Sequence, residues 1–145
     1  IAMKTENEHG PIFSYQNRVG QYNKIIRIVK FRTMTDANND GKWGNAENKV
    51  TKVGSILRMT RIDELPQLWN VLKGDISLIG PRPEFPQPVS QYSNEIPNYS
   101  IRHSVKPGLS GWAQIYGEHP HHGVDIAKTS NKLSYDLYQA QIIPT

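Results

Sequence analysis

The chain has no cysteine, which excludes disulfides, thiolate catalysis and zinc-thiolate sites and agrees with a reducing compartment. It has no apolar run near the roughly 18 to 20 residues that a membrane-spanning helix needs. Its first residues do not follow the charged-then-apolar plan of a signal peptide. Internal repeats, low-complexity tracts and a clear linker are also missing, so one domain is the economical expectation for 145 residues. Neither sign of charge dominates strongly. Seventeen Lys and Arg against thirteen Asp and Glu leave a net charge of +4, which favours anionic partners without choosing among phosphate, nucleic acid and lipid. A hydrophobic share of 37% and a mean hydropathy of −0.60 suit a soluble globular protein.

The patterning predicts a mixed α/β domain with an N-terminal β-hairpin, several amphipathic helices and short strands. "GPIFSYQNRVGQYNKIIRIVKFRTM" alternates apolar and polar residues around the turn formers of "VGQYNK", the signature of a hairpin. "TDANNDGKWGNAEN" reads as a loop. Val53, Ile56 and Leu57, then Leu65, Leu68, Trp69 and Leu72, recur at three- and four-residue spacing and predict two amphipathic helices. "DISLIGPRPEFPQP" predicts a short strand and a proline-dense turn. Residues 89–99 read as a polar helical segment, "SVKPGLSGWAQIYG" as turn and short strand, and "IAKTSNKLSYDLYQAQII" as a helix.

The stretch with the most chemistry is "TRIDELPQLWN", which sets Asp63 and Glu64 side by side at a predicted helix entrance, with Pro66 just after. Free N–H groups and the positive end of the helix dipole favour carboxylates there and keep them ionised. Capping therefore accounts for the acids. It does not call for the cations: Arg58 and Arg61 precede the pair, Lys30 and Arg32 lie in "VKFRTM", and Arg82 lies between Pro81 and Pro83. A carboxylate that attacks phosphorus must approach an anionic ester, whose charge has to be offset by guanidinium groups, a helix N-terminus or a divalent metal. Two adjacent carboxylates can divide that labour, one as nucleophile and one as metal ligand.

"KFRTM", "TKVGSILRMTRIDELPQLWNVLKGDISLIGPRPE" and "VKPGLSGWAQIYG", in this order, closely resemble the bacterial sugar transferases, the monotopic polyprenyl-phosphate phosphoglycosyltransferases. The resemblance runs from about Gly10 to Tyr138, and "SNEIPNYSIRHSVKPGLSGWAQ" resembles the subgroup that starts exopolysaccharide or O-antigen assembly. It implies transfer of a sugar 1-phosphate from a UDP-sugar to undecaprenyl phosphate, in a ping-pong reaction with an acyl-phosphate intermediate. By the same resemblance Asp63 is the nucleophile that expels UMP, and Glu64 holds Mg2+. Arg58 holds phosphates, with Arg61 a less certain neighbour. Pro81, Arg82 and Pro83 form the turn at the nucleotide site, with a cis bond expected at one proline. Lys30 and Arg32 form a basic strand there; as residues alone they read equally as the polar face of a strand. Glucose, galactose, an N-acetylhexosamine and a modified amino sugar all fit this resemblance.

Members of the family carry an apolar re-entrant helix before the hairpin. Here "IAMKTENEHGPIF" stands instead, so the expectation is a catalytic domain, residues 1–145, without its membrane anchor. It would be soluble or peripheral, and would work at the cytoplasmic face of the inner membrane against an anionic lipid surface. Three other motifs compete. "DANNDGKWGNAE" satisfies a calcium-loop pattern through Asp36, Asn38, Asp40 and Glu47, but Gly44 stands where that loop needs an apolar residue, so it reads as a surface loop. His119, His121 and His122 lack the spacing of a tetrahedral site and read as a polar loop. Trp112 could stack on a base or sit at a membrane interface, whereas Trp69 reads as core. The alternative function is a non-catalytic basic module for nucleotides or nucleic acid. Against it, the acidic pair amid the cations would repel a bare phosphate backbone.

Overall fold

The alternating run near the N-terminus folds as the predicted hairpin in the computed structural model, which describes residues 11–34, 50–116 and 125–142. Strand β1 (Phe13–Val19) and strand β2 (Ile25–Phe31) form a two-stranded sheet. Between them Tyr22 and Asn23 adopt positive φ in a 3-10 turn at Gln21–Asn23, closed by Gly20 N donating to the Lys24 carbonyl at 2.7 Å. On one face Phe13 stacks on Phe31, and the Arg27 guanidinium lies over the Tyr15 ring at 4.3 Å.

The chain resolves into two compact units, the first made of Ile1–Gln16 and Arg27–Leu72 and the second of Asn17–Ile26 and Lys73–Thr145. In the first, helix α1 (Lys52–Met59) starts at Thr51, whose hydroxyl accepts from Gly54 N at 2.8 Å in an ordinary N-cap. A 3-10 helix (Ile62–Gln67) then leads into helix α2 (Leu68–Leu72). Pro66 lies inside the 3-10 segment, so the second predicted helix begins as 3-10 and turns α-helical only beyond the proline.

In the second unit, strands β3 (Ser77–Ile79) and β4 (Gly108–Ser110) pair in parallel, with Ser77 opposite Gly108 and Ile79 opposite Ser110. A Cβ on Gly108 would lie 2.1 Å from Gly80 N, so the two backbones approach more closely than any side chain allows. Helix α3 (Pro86–Glu95) begins after the extended Phe85, as prolines at its first positions dictate. A 3-10 helix (Tyr99–His103) follows. The segment expected as turn and short strand supplies β4, but its second part forms helix α4 (Trp112–Tyr116), where Trp112 packs on Tyr116 and Tyr138. Helix α5 (Ile126–Ile142) completes the unit. Val19, Val89, Tyr92, Ile96, Tyr99 and Leu133 form its core, with Ile126 and Leu137 against them.

The hairpin turn is tied into this unit by polar contacts. Gln21 Nε2 donates to the Ser104 carbonyl at 2.9 Å, and His103 Nδ1 donates to Asn23 Oδ1 at 2.6 Å. His103 Nε2 is buried with no hydrogen-bond partner in the structure, so a second proton there would be unsolvated. Burial, reinforced by the nearby Arg102 charge, lowers the imidazole from 6.5 to about 4. The folded state therefore binds fewer protons than the unfolded one between these values. This contribution to stability is complete above pH 6.5 and lost as pH falls towards 4, by up to about 3 kcal/mol. Urea midpoints measured from pH 7 to pH 4 should fall less steeply in His103→Gln than in the unsubstituted protein.

Candidate active site

Within the first unit the predicted helical spacing is present but its two sides are exchanged. Asp63, Gln67 and Asn70, at intervals of four and three, are buried, whereas Leu65, Leu68, Trp69 and Leu72 on the other side are exposed, Trp69 by 63% and Leu72 by 79%. The expectation that Trp69 belongs to the core is therefore wrong. Periodicity identifies a stripe, not the side that faces inward. Here the inward side is chosen by hydrogen bonds to a strand: Asn70 Nδ2 donates to the Arg27 carbonyl at 2.9 Å, and its Oδ1 accepts from Val29 N at 3.1 Å. The amide thus satisfies both backbone groups of β2 that it meets.

The same polar logic seats α1. A Cβ on Gly54 would lie 2.2 Å from the Thr33 carbonyl oxygen, so only glycine lets the helix start approach the chain leaving β2. Thr51 N donates to that carbonyl at 3.1 Å. One α-helical turn beyond Gly54, Arg58 Nε donates to Thr33 Oγ1 at 2.8 Å, which anchors one edge of the guanidinium. Neither Thr33 nor Asn70 is prominent in the sequence. Both lie inside recognisable motifs, but a threonine and an asparagine become informative only once their backbone partners are known.

Asp63 lies one turn past α1, after Arg61 takes a left-handed conformation with φ 59°. It is only 6% exposed, and its Oδ1 is buried without a hydrogen-bond partner in the structure. Burial raises its pKa above 3.8 and the Glu64 charge raises it further, while Lys30, Arg58 and Arg61 pull it down. The expected pull of a helix entrance towards the ionised form is outweighed here by desolvation, since a six-residue 3-10 segment offers little dipole. Capping does not explain a buried oxygen with nothing to accept from. A carboxylate kept more basic than usual, ringed by cations, is suited to attack an electrophile that is itself anionic.

Of the residues singled out from the sequence, Asp63, Glu64, Lys30, Arg32 and Arg58 belong to this unit. Lys30 and Arg58 act electrostatically on Asp63, and Arg32 is buried just after β2, where its N–H donates to the Ile12 carbonyl at 2.8 Å. Pro81, Arg82 and Pro83 belong to the second unit, with both prolines buried and Arg82 half-buried. No peptide bond among the described residues is cis, so the expected cis-proline is corrected. The calcium-loop pattern at Asp36–Glu47 and the histidines 119, 121 and 122 lie outside the described residues.

The donor set around Asp63 fits a hard divalent cation. Among the described residues no three His, Asp or Glu side chains converge into a closed cage. The unpartnered Asp63 Oδ1 and the adjacent Glu64 instead suit an ion such as Mg2+, which takes one or two carboxylates and fills its octahedron with phosphate oxygens and water.

Comparison with known proteins shows the family of this chain. Residues 1–143 match the family described as bacterial sugar transferase. The chain is 48% identical over 145 residues to the UDP-N-acetylgalactosamine-undecaprenyl-phosphate N-acetylgalactosaminephosphotransferase of Aeromonas hydrophila, covering 95% of this chain and 32% of that protein. It is 43% identical over 139 residues to the UDP-glucose:undecaprenyl-phosphate glucose-1-phosphate transferase of Klebsiella pneumoniae, covering 94% of this chain and 30% of that one. The chain thus spans about a third of the length of each of these relatives.

The raised pKa of Asp63 has a thermodynamic signature. Above its folded-state pKa the carboxylate is charged and desolvated, which costs stability; below 3.8 it is protonated in both states and the cost vanishes. Without divalent metal, Asp63→Asn should therefore stabilise the fold at pH 7 by about 1 kcal/mol, the scale of one unsatisfied buried polar atom. The gain should disappear below about pH 3.8, as read from paired urea titrations.

Proposed function

Because the chain belongs to the bacterial sugar transferase family, we propose that it transfers a sugar 1-phosphate from a UDP-sugar to undecaprenyl phosphate through a covalent intermediate on Asp63. The observation that carries this reading is the Asp63 carboxylate itself: buried, unpartnered at Oδ1, raised in basicity, and surrounded by Lys30, Arg58 and Arg61. In the first half-reaction an Asp63 oxygen attacks the sugar-bearing phosphorus. The bond from that phosphorus to the bridging oxygen breaks, and its electron pair departs with UMP. In the second, a phosphate oxygen of the polyprenyl acceptor attacks the same phosphorus, and the carboxylate leaves unchanged.

The surrounding residues have separable roles. Lys30 and Arg58 offset the charge of the incoming diphosphate, and Thr33 limits the rotation of Arg58 by holding its Nε. Arg82, stiffened by a proline on each side, binds the nucleotide diphosphate, and Arg32 supports the basic strand end. Glu64 would hold Mg2+, which offsets the charge developing on the leaving phosphate. A basic carboxylate gives a better nucleophile but a poorer leaving group, so the cations that partly reverse the Asp63 shift also balance the two half-reactions.

The acceptor is a lipid, and the first unit carries an apolar ridge of the kind that meets one. Ile56, Met59, Leu65, Leu68, Trp69 and Leu72 are all exposed, whereas no helix among the described residues is long and apolar enough to cross a membrane. Together with the net charge of +4, the exposed apolar side chains support work at an anionic membrane surface, and the cytoplasmic face of the bacterial inner membrane is the proposed location.

Two measurements test the proposal. The full-length protein, incubated with Mg2+ and a panel of labelled UDP-sugars, should release UMP and gain a sugar-phosphate adduct by intact mass. Both should be abolished in Asp63→Asn; an adduct that persists in that variant would overturn the assignment. A nucleic-acid-binding module would instead show oligonucleotide affinity indifferent to the substitution. In flotation at low salt, the protein should rise with vesicles containing about 30% anionic lipid, and Trp69→Glu with Leu72→Glu should reduce the floated fraction several-fold. Equal flotation of both forms would exclude the ridge as the contact.

A further inference from the structure

The turn at Pro81–Pro83 is held in an unusual manner. Proline has no N–H, so the segment is short of donors and cannot close on itself. Instead, four successive carbonyls accept from elements outside it. Gly108 N donates to the Pro81 carbonyl at 2.9 Å, Arg102 Nη2 to Arg82 at 2.9 Å, Arg18 Nη1 to Pro83 at 3.1 Å, and Val19 N to Glu84 at 2.9 Å. Two of these four donors are arginine side chains, each committed elsewhere as well. Arg18 lies over the Phe85 ring at 3.5 Å. Arg102, 2% exposed, bridges Asp136 Oδ2 from Nε at 2.9 Å and Nη2 at 2.7 Å, and its Nη1 donates to the Tyr99 hydroxyl at 3.0 Å.

Asp136 is itself 1% exposed on α5, and Lys132, one turn earlier, pairs with the Glu84 carboxylate. Burial alone would raise Glu84, but Lys132, Arg102 and Arg18 bring it down to about 2. Burial likewise opposes the charge on Arg102, yet Asp136 holds the guanidinium protonated beyond its ordinary range. An ion pair so deeply buried is rarely worth its desolvation as a contribution to stability. What this one supplies is geometry. A guanidinium is a rigid planar fork, so fixing two of its edges on Asp136 and Tyr99 fixes where Nη2 points, and Nη2 meets the main chain of Arg82.

We propose that Arg102 and Arg18 are positioning residues for donor binding: by gripping the carbonyls of Arg82 and Pro83 they set the backbone path that aims the Arg82 guanidinium at the diphosphate of a nucleoside diphosphate sugar. The inference rests on the reading of Arg82 as a donor-binding residue. It assigns two arginines that touch no substrate a selective effect on donor affinity. Asp136 and Tyr99 act one step further back, by orienting Arg102.

The test is a double-mutant cycle in the full-length enzyme, with Arg82→Ala as the reference and separate KM values for UDP-sugar and undecaprenyl phosphate. Arg18→Gln removes one grip from a half-buried position, and Arg102→Lys keeps the charge but not the fork; thermal unfolding establishes that each variant is folded. Either substitution should raise the donor KM about tenfold, with kcat and the acceptor KM within twofold of the unsubstituted enzyme. In the Arg82→Ala background the same substitutions should change the donor KM by less than twofold, because the side chain they aim is gone. A folded Arg18→Gln or Arg102→Lys variant with unchanged donor KM, or effects that simply add to that of Arg82→Ala, would overturn the inference. Should Arg102→Lys fail to fold, Arg18→Gln alone decides. An unsubstituted enzyme that releases no UMP from any UDP-sugar would overturn the underlying reading; an active one whose donor KM responds to Arg82→Ala but to neither grip would overturn the positioning inference only.

Discussion

A carboxylate with a buried, unpartnered oxygen is tolerable only where positive charge is close enough to compensate part of its lost hydration, and the first unit is organised around meeting that condition for Asp63. Lys30 arrives on β2, Arg58 on the last turn of α1, and Arg61 at the left-handed bend between α1 and the 3-10 helix. Each of these elements is located by a polar contact rather than by a large apolar core. Thr51 and Gly54 seat α1 on Thr33, and Asn70 fastens α2 to the backbone of β2. The interior of this unit contains Thr33, Thr51, Gln67 and Asn70, and hydrogen bonds place Thr33, Thr51 and Asn70 there.

This arrangement has a cost and a use. Turning Leu65, Leu68, Trp69 and Leu72 outward forgoes the transfer free energy of several large side chains, roughly 1.5 to 3 kcal/mol each. A water-filled cell offers no recovery of that loss, but a lipid surface does, which links the exposed side chains to the lipid acceptor proposed above. The second unit is built in the ordinary way, with an aromatic and aliphatic core under α3 and α5. Its charged interior, Arg102 with Asp136 and Lys132 with Glu84, holds a proline-rich turn that has few hydrogen-bond donors of its own.

Most of the local architecture was legible in the chain. Alternation around "VGQYNK" located the hairpin, the prolines after Phe85 marked the start of α3, and the acidic pair amid arginines drew attention to the carboxylate that proves to be buried. Three expectations did not survive. Trp69 lies on the predicted stripe but faces outward, because a hydrogen-bonding asparagine on the opposite side won the contact with β2. The turn at Pro81–Pro83 has no cis bond, and its carbonyls are held by donors from other elements. The short helix at Trp112–Tyr116 follows a strand that ends against Gly80, and a five-residue helix is too short to declare its period.

The order of residues by itself determined which segments alternate, which repeat at helical spacing, and which positions carry the carboxylates and guanidinium groups, since all of these depend on neighbours along the chain. It also determined family membership, because whole motifs such as "TRIDELPQLWN" persist as strings. Only tertiary structure decided which face of each helix is inside, that Thr33 anchors Arg58, and that Arg18 and Arg102, 84 positions apart by their numbers (102 − 18), converge on consecutive carbonyls. Contacts of that kind involve one hydrogen and one oxygen brought together by folding, and a sequence carries no local mark of a partner so distant.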